Sequence, residues 1–233
     1  MGFLAEWGSI LRESRRHFQN TGTVMPSSRY LARALTAELH KRRGPARILE
    51  AGPGTGAVTG RILNCLLPSD RLDIVEINDR FVELLTGRFE HEWNFWRHRE
   101  QVRLIHAPLE KLPDGEKYDY IVSGLPLNNF PHDLVRTIYQ TYSRLLKPGG
   151  TLSYFEYSFV RHLKSPFSSR QERRRLYRVG KIVGKYLSAY EIRQRHVLVN
   201  VPPAIVHYLQ LHPTNGSSAT DETAASPLVV KHL

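Results

Sequence analysis

The spacing of apolar residues changes along the chain, and it predicts an alternating order of strands and helices. Short apolar runs bounded by turn residues predict strands at residues 47–50, 72–77, 102–107, 118–123 and 151–159. Apolar residues that recur every three or four positions predict helices at residues 57–67, 79–89 and 133–146. This alternation is typical of a mostly parallel sheet with helices on both faces.

Both ends of the chain add elements to this core. Residues 3–18 place their large apolar side chains, Trp7 among them, on one arc of a helix. A second helix is predicted from an N-capping serine at residues 27–28 to about Lys41. Near the other end, two more strands are predicted at residues 197–200 and 204–209, and two prolines join them.

We therefore predict one α/β domain with flanking segments. Residues 44–211 would hold a mostly parallel seven-stranded sheet with helices on both faces, together with a basic amphipathic insert at residues 161–195. Residues 1–43 precede it as an amphipathic helix and a lid helix. Residues 212–233, rich in Ser, Thr and Ala, are predicted to form a flexible tail.

The positive charge of the chain is concentrated in the basic insert. The 233 residues carry 33 Lys and Arg against 22 Asp and Glu, a formal net charge of +11. Residues 161–195 alone contain eleven Lys and Arg and two Glu. On a helix, one side of this segment is apolar and the opposite side carries Arg174, Arg178, Lys181 and Lys185. Charge this local predicts an anionic partner, either a nucleic acid or an anionic membrane.

Two features of the sequence narrow the class of protein. The single cysteine, Cys65, excludes a disulfide framework and any zinc site built from cysteines. No apolar run approaches the ~20 residues that a membrane-spanning helix needs, and the N-terminus lacks the pattern of a secretory signal. We therefore expect a cytosolic protein.

Closely spaced glycines follow the first predicted strand, at Gly52, Gly54 and Gly56. Glycine lets the backbone pass close to a ligand, and in an open α/β sheet this turn lies in the crevice where ligands bind. Glu50 and Glu76 end the first two strands, and a carboxylate at the end of the second strand can accept hydrogen bonds from ribose hydroxyls. The glycines also fit a dinucleotide fingerprint, but their rhythm and the two glutamates favour S-adenosylmethionine.

Residues 50–56 resemble motif I of the class I S-adenosylmethionine-dependent methyltransferases, and residues 74–77 resemble the second-strand motif of that family. Three further segments resemble the bacterial phospholipid N-methyltransferases, at residues 21–32, 123–127 and 200–204. The resemblance implies a Rossmann-like class I methyltransferase fold. It also implies an enzyme that methylates the headgroup amine of phosphatidylethanolamine towards phosphatidylcholine, or alternatively the amine of an ornithine lipid.

The resemblance further implies which residues hold S-adenosylmethionine. They lie at the carboxyl ends of the first four strands: Glu50, Gly52, Gly54, Thr55, Gly56, Glu76, Ile77, Leu109 and Ser123. One departure concerns the adenine, because the family usually has a Gly-Asp pair after the third strand, where residues 106–110 read His-Ala-Pro-Leu-Glu. Either backbone groups near Leu109 or the carboxylate of Glu110 would then contact the adenine amine.

The methyl acceptor is expected at the ends of the fourth and fifth strands. Candidate contacts to the amine or to its proton are Ser123, the Leu125 carbonyl, Tyr154, Glu156 and Tyr157. Strand alternation puts Tyr154 and Glu156 on one face and Tyr157 on the other. A buried carboxylate at Glu156 needs a partner, which is either the substrate amine or a structural arginine.

A lipid substrate requires the enzyme to bind at a membrane surface. Trp7 in the first helix and the basic side of the insert are the predicted anchors. Candidates to bind the lipid phosphate are Arg29, Arg161 and Arg193. We expect a monomer at the cytoplasmic face of the inner membrane. Its expected partners are an anionic membrane surface and the aminolipid, without a metal.

Two functions of other classes stay open at this point. An RNA methyltransferase would suit the basic insert equally, and the related ribosomal RNA adenine dimethyltransferases share a similar first motif. They carry an Asn-Leu-Pro-Tyr type of sequence where residues 124–127 read Gly-Leu-Pro-Leu, without an aromatic side chain to stack a flipped base. A lipid-binding protein without activity would suit the amphipathic helices, but it would not need Glu50, Glu76 and the glycines.

Overall fold

The structure is a computed structural model, and it describes residues 28–42, 44–115, 117–158, 170–211 and 229–233. Its strands are β1 (Arg47–Ala51), β2 (Arg71–Glu76), β3 (Val102–His106), β4 (Tyr118–Ser123), β5 (Leu146–Tyr157), β6 (Glu191–Val197), β7 (Ala204–Leu209) and β8 (Val229–His232). They form one eight-stranded sheet in the order β6-β7-β5-β4-β1-β2-β3-β8. Strands β1 to β5 are parallel, β7 is antiparallel to β5 and β6, and β8 is antiparallel to β3.

Helices cover both faces of the sheet. They are α1 (Arg29–Leu35), α2 (Ala57–Leu63), α3 (Asp79–His91), α4 (Trp93–Trp96), α5 (His132–Leu145) and α6 (Arg170–Tyr190). Ile48 of β1 is fully buried among residues of α1 to α4, and its neighbour Leu49 is fully buried among residues of α5 and α6. Burial on both faces explains why the central strands are apolar throughout. Within the described residues, no helix is long and apolar enough to cross a bilayer.

The predicted fold class is confirmed, with one strand more than the seven expected. The additional strand is β8, which comes from the segment predicted as a flexible tail. Residues 229–232 pair with β3, with Arg103 opposite His232 and His106 opposite Val229. The rest of that predicted tail, residues 212–228, lies outside the described residues.

The basic insert predicted at residues 161–195 contains parts of two elements. Helix α6 ends at Tyr190, so that Arg193 and Arg195 belong to the edge strand β6. Arg193 forms an ion pair with Glu38, and its guanidinium lies 4.2 Å from the centre of the Tyr208 ring. An edge strand tolerates such charged side chains because one of its sides is open to solvent.

The helix predicted before β1 begins where expected but ends earlier. Ser28 caps α1, since its hydroxyl accepts a hydrogen bond from the Leu31 amide at 3.2 Å. A short 3₁₀ turn, Leu39–Lys41, follows where a continuous helix was predicted. The C-terminus of α1 is tied to the sheet, because the Ser153 hydroxyl donates to the Leu35 carbonyl at 2.8 Å.

Candidate functional site

The turn after β1 requires glycine at every position where the sequence has it. Gly52, Gly54 and Gly56 have φ values of 69°, 59° and 81°, in the left-handed region that side chains disfavour. A Cβ atom on Gly52 would lie 2.5 Å from the Leu125 side chain. A Cβ atom on Gly124 would lie 2.5 Å from the Gly52 carbonyl oxygen. The ends of β1 and β4 therefore touch backbone to backbone, and they form the floor of a crevice.

Glu76 at the end of β2 is held by backbone amides. Its Oε1 accepts hydrogen bonds from the amides of Ile77 and Asn78 at 2.9 and 3.0 Å, and its Oε2 accepts one from the Gly54 amide at 3.3 Å. The side chain is 2% exposed. A carboxylate has about four lone-pair sites, so further hydrogen bonds from a ligand's hydroxyls can be accepted beside the glycine turn.

Glu50 is the unsatisfied group of the crevice. It is 1% exposed, and neither carboxylate oxygen has a hydrogen-bond partner among the described residues. Burial, reinforced by the nearby Glu76 carboxylate, raises the pKa of Glu50 to about 8, against the opposing effects of Thr59 and Arg88. A buried carboxyl without a partner is costly, so this position suits a ligand that brings a cation or a donor.

Arg88 of α3 supports the glycine turn, a role that the sequence motifs did not reveal. Its Nη1 donates to the Thr55 carbonyl at 2.7 Å, and the same guanidinium forms two hydrogen bonds of 2.7 Å with Glu92. The guanidinium carbon also lies 4.0 Å from the centre of the Phe95 ring. Thr55, a predicted cofactor residue, is thus held through its carbonyl by a residue 33 positions further along the chain.

A mostly apolar cavity lies beside the glycine turn. Its walls come from the ends of β2 and β3 and from α5, and they include Val75, Ile77, Ala107, Leu109, Glu110, Leu134 and Ile138. Both Leu109 and Glu110 line this wall. The two predicted ways of contacting adenine, through backbone groups near Leu109 or through the Glu110 carboxylate, therefore involve the same part of the cavity. Burial raises the pKa of the Glu110 carboxyl above its usual value. Glu76 and Glu110 are the charged side chains of this wall, and Glu110 lies at the β3 end, where adenine is expected.

Ser123 lies inside the fold at the end of β4. It is fully buried, and its hydroxyl accepts hydrogen bonds from the Tyr142 hydroxyl at 2.7 Å and from the Leu125 amide at 3.2 Å. These bonds shape the chain after β4, where Leu125 packs against Gly52. The structure therefore gives Ser123 a positioning role through Leu125.

The predicted amine contacts on β5 divide between the two faces of the sheet. Tyr154 is fully buried on the α5 face, whereas Tyr157 packs on the opposite face, with its ring 5.1 Å from that of Phe155. Glu156 follows Tyr154 on the α5 face, and its side chain is 12% exposed. The structure thus brings Tyr154 and Glu156 together and leaves Tyr157 away from them.

His207 of β7 completes this group, and the sequence reasoning missed it. Its ring stacks on Tyr154 with 5.2 Å between centres, and its Nε2 lies 4.0 Å from Oε2 of Glu156. On the other side, its Nδ1 lies 2.5 Å from Oε1 of Glu191. A polar residue at an inward position of an otherwise apolar strand was the signal available in the sequence. We call Tyr154, Glu156, Glu191 and His207 the β5–β7 cluster.

The basic residues predicted for α6 do lie on its outer side. Val179 and Val183 are fully buried in the core that includes α5. The four predicted membrane contacts of this helix are all exposed: Arg174, Arg178, Lys181 and Lys185. Arg29 is exposed at the start of α1, where its guanidinium donates to the Tyr30 hydroxyl at 2.9 Å. Trp7 and Arg161 lie outside the described residues.

Comparison with known proteins shows which family the chain belongs to. A family model for a methyltransferase domain matches residues 48–150. An ornithine lipid N-methyltransferase of Singulisphaera acidiphila is 30% identical over 138 residues, which are 59% of this chain and 71% of that protein. The chain belongs to the class I S-adenosylmethionine-dependent methyltransferases. A ribosomal RNA small subunit methyltransferase A of Synechococcus sp. is 38% identical to this methyltransferase over 82 residues, 35% of this chain and 28% of that protein.

A solved structure confirms the fold of the methyltransferase. A 1,6-didemethyltoxoflavin-N1-methyltransferase of Burkholderia thailandensis, with bound 1,6-didemethyltoxoflavin and S-adenosylhomocysteine, superposes with a TM-score of 0.60. The alignment covers 91% of this chain and 92% of that one, at 16% identity.

The crevice fits S-adenosylmethionine, the cofactor of this methyltransferase family. The buried carboxyl of Glu50 would be a partner for the amino group of the cofactor, and Glu76 would accept hydrogen bonds from its ribose. The cavity beside Leu109 and Glu110 suits its adenine. These three contacts follow one another along the carboxyl ends of β1, β2 and β3.

Proposed function

We propose that this methyltransferase methylates the headgroup amine of a membrane aminolipid at the cytoplasmic face of a membrane. The observation that carries the proposal is the β5–β7 cluster, which places Glu156 4.0 Å from Nε2 of His207, a buried nitrogen without a hydrogen-bond partner among the described residues. The ornithine lipid N-methyltransferase similarity supports the substrate class. Phosphatidylethanolamine and ornithine lipids share the required feature, which is an amine on a lipid.

The methyl acceptor must lose a proton before it reacts. A lipid ammonium resembles that of lysine, whose pKa in water is about 10.4, so the site has to favour the neutral amine. S-adenosylmethionine supplies an electrophilic methyl group bound to a sulfonium. The protein's task is to hold the amine in line with that methyl group and to take up the proton.

The β5–β7 cluster can perform both parts of this task. The Glu191 carboxylate beside Nδ1 of His207 favours the tautomer that carries its proton there, which leaves Nε2 as an acceptor. Nε2 has no hydrogen-bond partner among the described residues and faces Glu156. We propose that Glu156 binds the lipid ammonium and that Nε2 of His207 accepts its proton.

The outer side of α6 supports a membrane location for this reaction. Exposed cationic side chains, among them Arg174, Arg178, Lys181 and Lys185, project from a helix whose other side is buried in the protein core. Lys or Arg near an anionic lipid surface contributes about 1 kcal/mol per residue. The proposal includes an anionic membrane as the partner of this helix.

The test is methyl transfer from labelled S-adenosylmethionine to vesicles that contain phosphatidylethanolamine, to vesicles that contain ornithine lipid, and to ribosomal RNA. We expect product masses that rise by one methyl group at a time on one or both lipids. The variant Glu156→Gln should lose this activity while it retains S-adenosylhomocysteine binding. Methylated RNA with unlabelled lipids would overturn the proposal and favour the function of the second relative.

A further inference from the structure

In the loop between β6 and β7, the apolar side chains are exposed to solvent and a polar side chain is buried. Its apolar side chains, Leu198, Val199 and Val201, are 73%, 64% and 68% exposed, whereas the polar Asn200 is 4% exposed. Nδ2 of the Asn200 side chain donates to the Pro202 carbonyl at 2.7 Å, which holds the turn together from inside. Exposed apolar side chains grouped at one point are typical of a binding surface. We call residues 198–201 the apolar tip.

The apolar tip lies at the same edge of the sheet as the candidate site. Ala204, where the loop ends, pairs with Tyr157 at the carboxyl end of β5. The Ser158 amide donates to the Pro203 carbonyl at 2.9 Å, which joins the loop to the end of β5. Because β5 also carries Glu156, the tip stands beside the strand end where the amine is proposed to bind.

Basic side chains border the apolar tip. Arg195 and His196 precede it and are exposed, and residues 192–203 contain no Asp or Glu. The first turns of α6 lie at the same edge, since Arg175 donates to the carbonyls of Asn128 and Phe130, which follow β4, at 3.0 and 2.8 Å. Those turns expose Arg170, Arg173 and Arg174. An apolar point with cationic surroundings matches the interface of an anionic bilayer.

We propose that the apolar tip inserts into the interfacial layer of an anionic lipid bilayer and holds the carboxyl edge of the sheet against it. This inference rests on the proposed function, since a lipid headgroup has to reach Glu156. An aminolipid then enters the site beside the tip without transfer through water. Apolar insertion is not screened by salt, so it also distinguishes this contact from the charge attraction of α6.

Fluorescence at the tip tests the insertion. Leu198→Cys in a Cys65→Ala background is labelled with an environment-sensitive dye, and Ile192→Cys serves as the control. Ile192 is 50% exposed and lies at the start of β6, the strand whose other end leads into the tip. The vesicles contain phosphatidylglycerol and phosphatidylcholine in equal parts, so docking is measured without a methyl acceptor. We expect a blue shift and quenching by acyl-chain nitroxides at position 198 and neither at position 192.

A second variant measures what insertion contributes. Replacing Leu198, Val199 and Val201 together by Ser should lower the vesicle partition coefficient by about tenfold or more at high salt, because burying apolar side chains provides the affinity there. The control Ile192→Ser should partition like the wild type. The triple variant should still methylate a short-chain aminolipid below the concentration at which that lipid aggregates.

Two results would overturn the insertion. One is equal dye spectra at positions 198 and 192 on vesicles that bind the protein. The other is a dye at position 198 that is already shielded without vesicles, which would mean that another segment or a second copy of the chain covers the tip. Insertion without methyl transfer to any aminolipid would overturn the proposed substrate and leave the docking surface standing.

Discussion

Nδ1 of His207 lies 2.5 Å from Oε1 of Glu191, although Glu191 stands opposite Leu209 in the pairing of β6 with β7. The Glu191 side chain therefore reaches diagonally across the edge of the sheet to hold the imidazole. The other ring nitrogen then faces Glu156. This arrangement makes β6 part of the candidate site, even though its outer side is open to solvent.

Replacing His207 by Gln should lower kcat on the lipid substrate by about 100-fold or more, the range typical of a lost general base. S-adenosylhomocysteine affinity should not change, because the cofactor crevice lies along β1 to β3. His196→Gln is the matched control, since His196 is an exposed histidine of the neighbouring strand. Unchanged kcat in His207→Gln would show that the amine loses its proton elsewhere.

Cofactor binding should release a proton from Glu50. The pKa of its carboxyl is about 8 in the free protein, so at about pH 6.5 the group is protonated, while the α-amino group of the cofactor is still a cation. Pairing with that cation favours the carboxylate. Calorimetry of S-adenosylhomocysteine binding in buffers of different ionisation enthalpy measures the release, which Glu50→Gln should abolish.

The same group makes the stability of the free protein depend on pH. The folded-state pKa of Glu50 lies above its unfolded value of 4.5, so its contribution to stability is fully present below about pH 4.5 and is lost as the pH rises to about 8. Between these limits, the free energy of unfolding of the wild type should fall more steeply with pH than that of Glu50→Gln. Urea unfolding without cofactor measures both slopes, and equal slopes would contradict the prediction.

Gly124→Ala should destabilise the protein by about 1–3 kcal/mol, as overpacking generally does. The added Cβ atom would lie 2.5 Å from the Gly52 carbonyl oxygen, which cannot move without disturbing the glycine turn. Gly87→Ala is the control, because nothing lies within 4 Å of its Cβ position on α3. That change should stabilise the protein by about 0.5–1 kcal/mol in the same unfolding measurement.

Glu110→Ala should weaken S-adenosylhomocysteine binding about tenfold, and Glu110→Gln should weaken it much less. An amide oxygen can still accept a hydrogen bond from the adenine amine, whereas alanine leaves that amine without a partner. The exposed neighbour Lys111→Ala provides the control. An analogue without the amine should bind the wild type and Glu110→Ala equally, and a remaining difference would assign Glu110 another role.

Replacing Arg174, Arg178, Lys181 and Lys185 of α6 by Gln should weaken binding to phosphatidylglycerol vesicles by about 1 kcal/mol per residue at low salt. S-adenosylhomocysteine affinity should stay the same. A control with equal loss of charge removes exposed cations from other parts of the surface: Arg71, Arg80, Arg97 and Lys111. If both variants bound vesicles equally, net charge alone would explain the attraction.

The glycine turn of the candidate crevice was predictable because its requirements are local. Gly52, Gly54 and Gly56 lie within five residues of the chain. Their positive φ angles are typical of glycine, so the turn can be predicted from this short segment alone. Glu76 could be added because it occupies the corresponding place at the end of the next strand. Arg88 was not predictable, since its contact with Thr55 depends on how α3 packs beside the turn.

The loop after β6 was predicted wrongly from the sequence, for a different reason. Residues 197–200 were predicted as a strand because Val, Leu and Val favour one, but pairing ends at Val197. The burial of Asn200 turns the chain there and leaves its apolar neighbours outside. A run of apolar residues predicts a buried strand, but an exposed apolar loop can have the same run of residues. The sequence pattern alone therefore does not distinguish the two. His207 and Glu191 were likewise missed, because their contact joins two strands across the sheet.

The pairing of β8 with β3 also protects the chain against self-association. Without residues 229–232, β3 would present a row of unpaired amides and carbonyls at one margin of the sheet. Such a margin is a template on which another extended chain can add. A protein that lacks residues 229–232 would therefore be prone to aggregate through β3. In the folded protein, β8 covers the edge of β3.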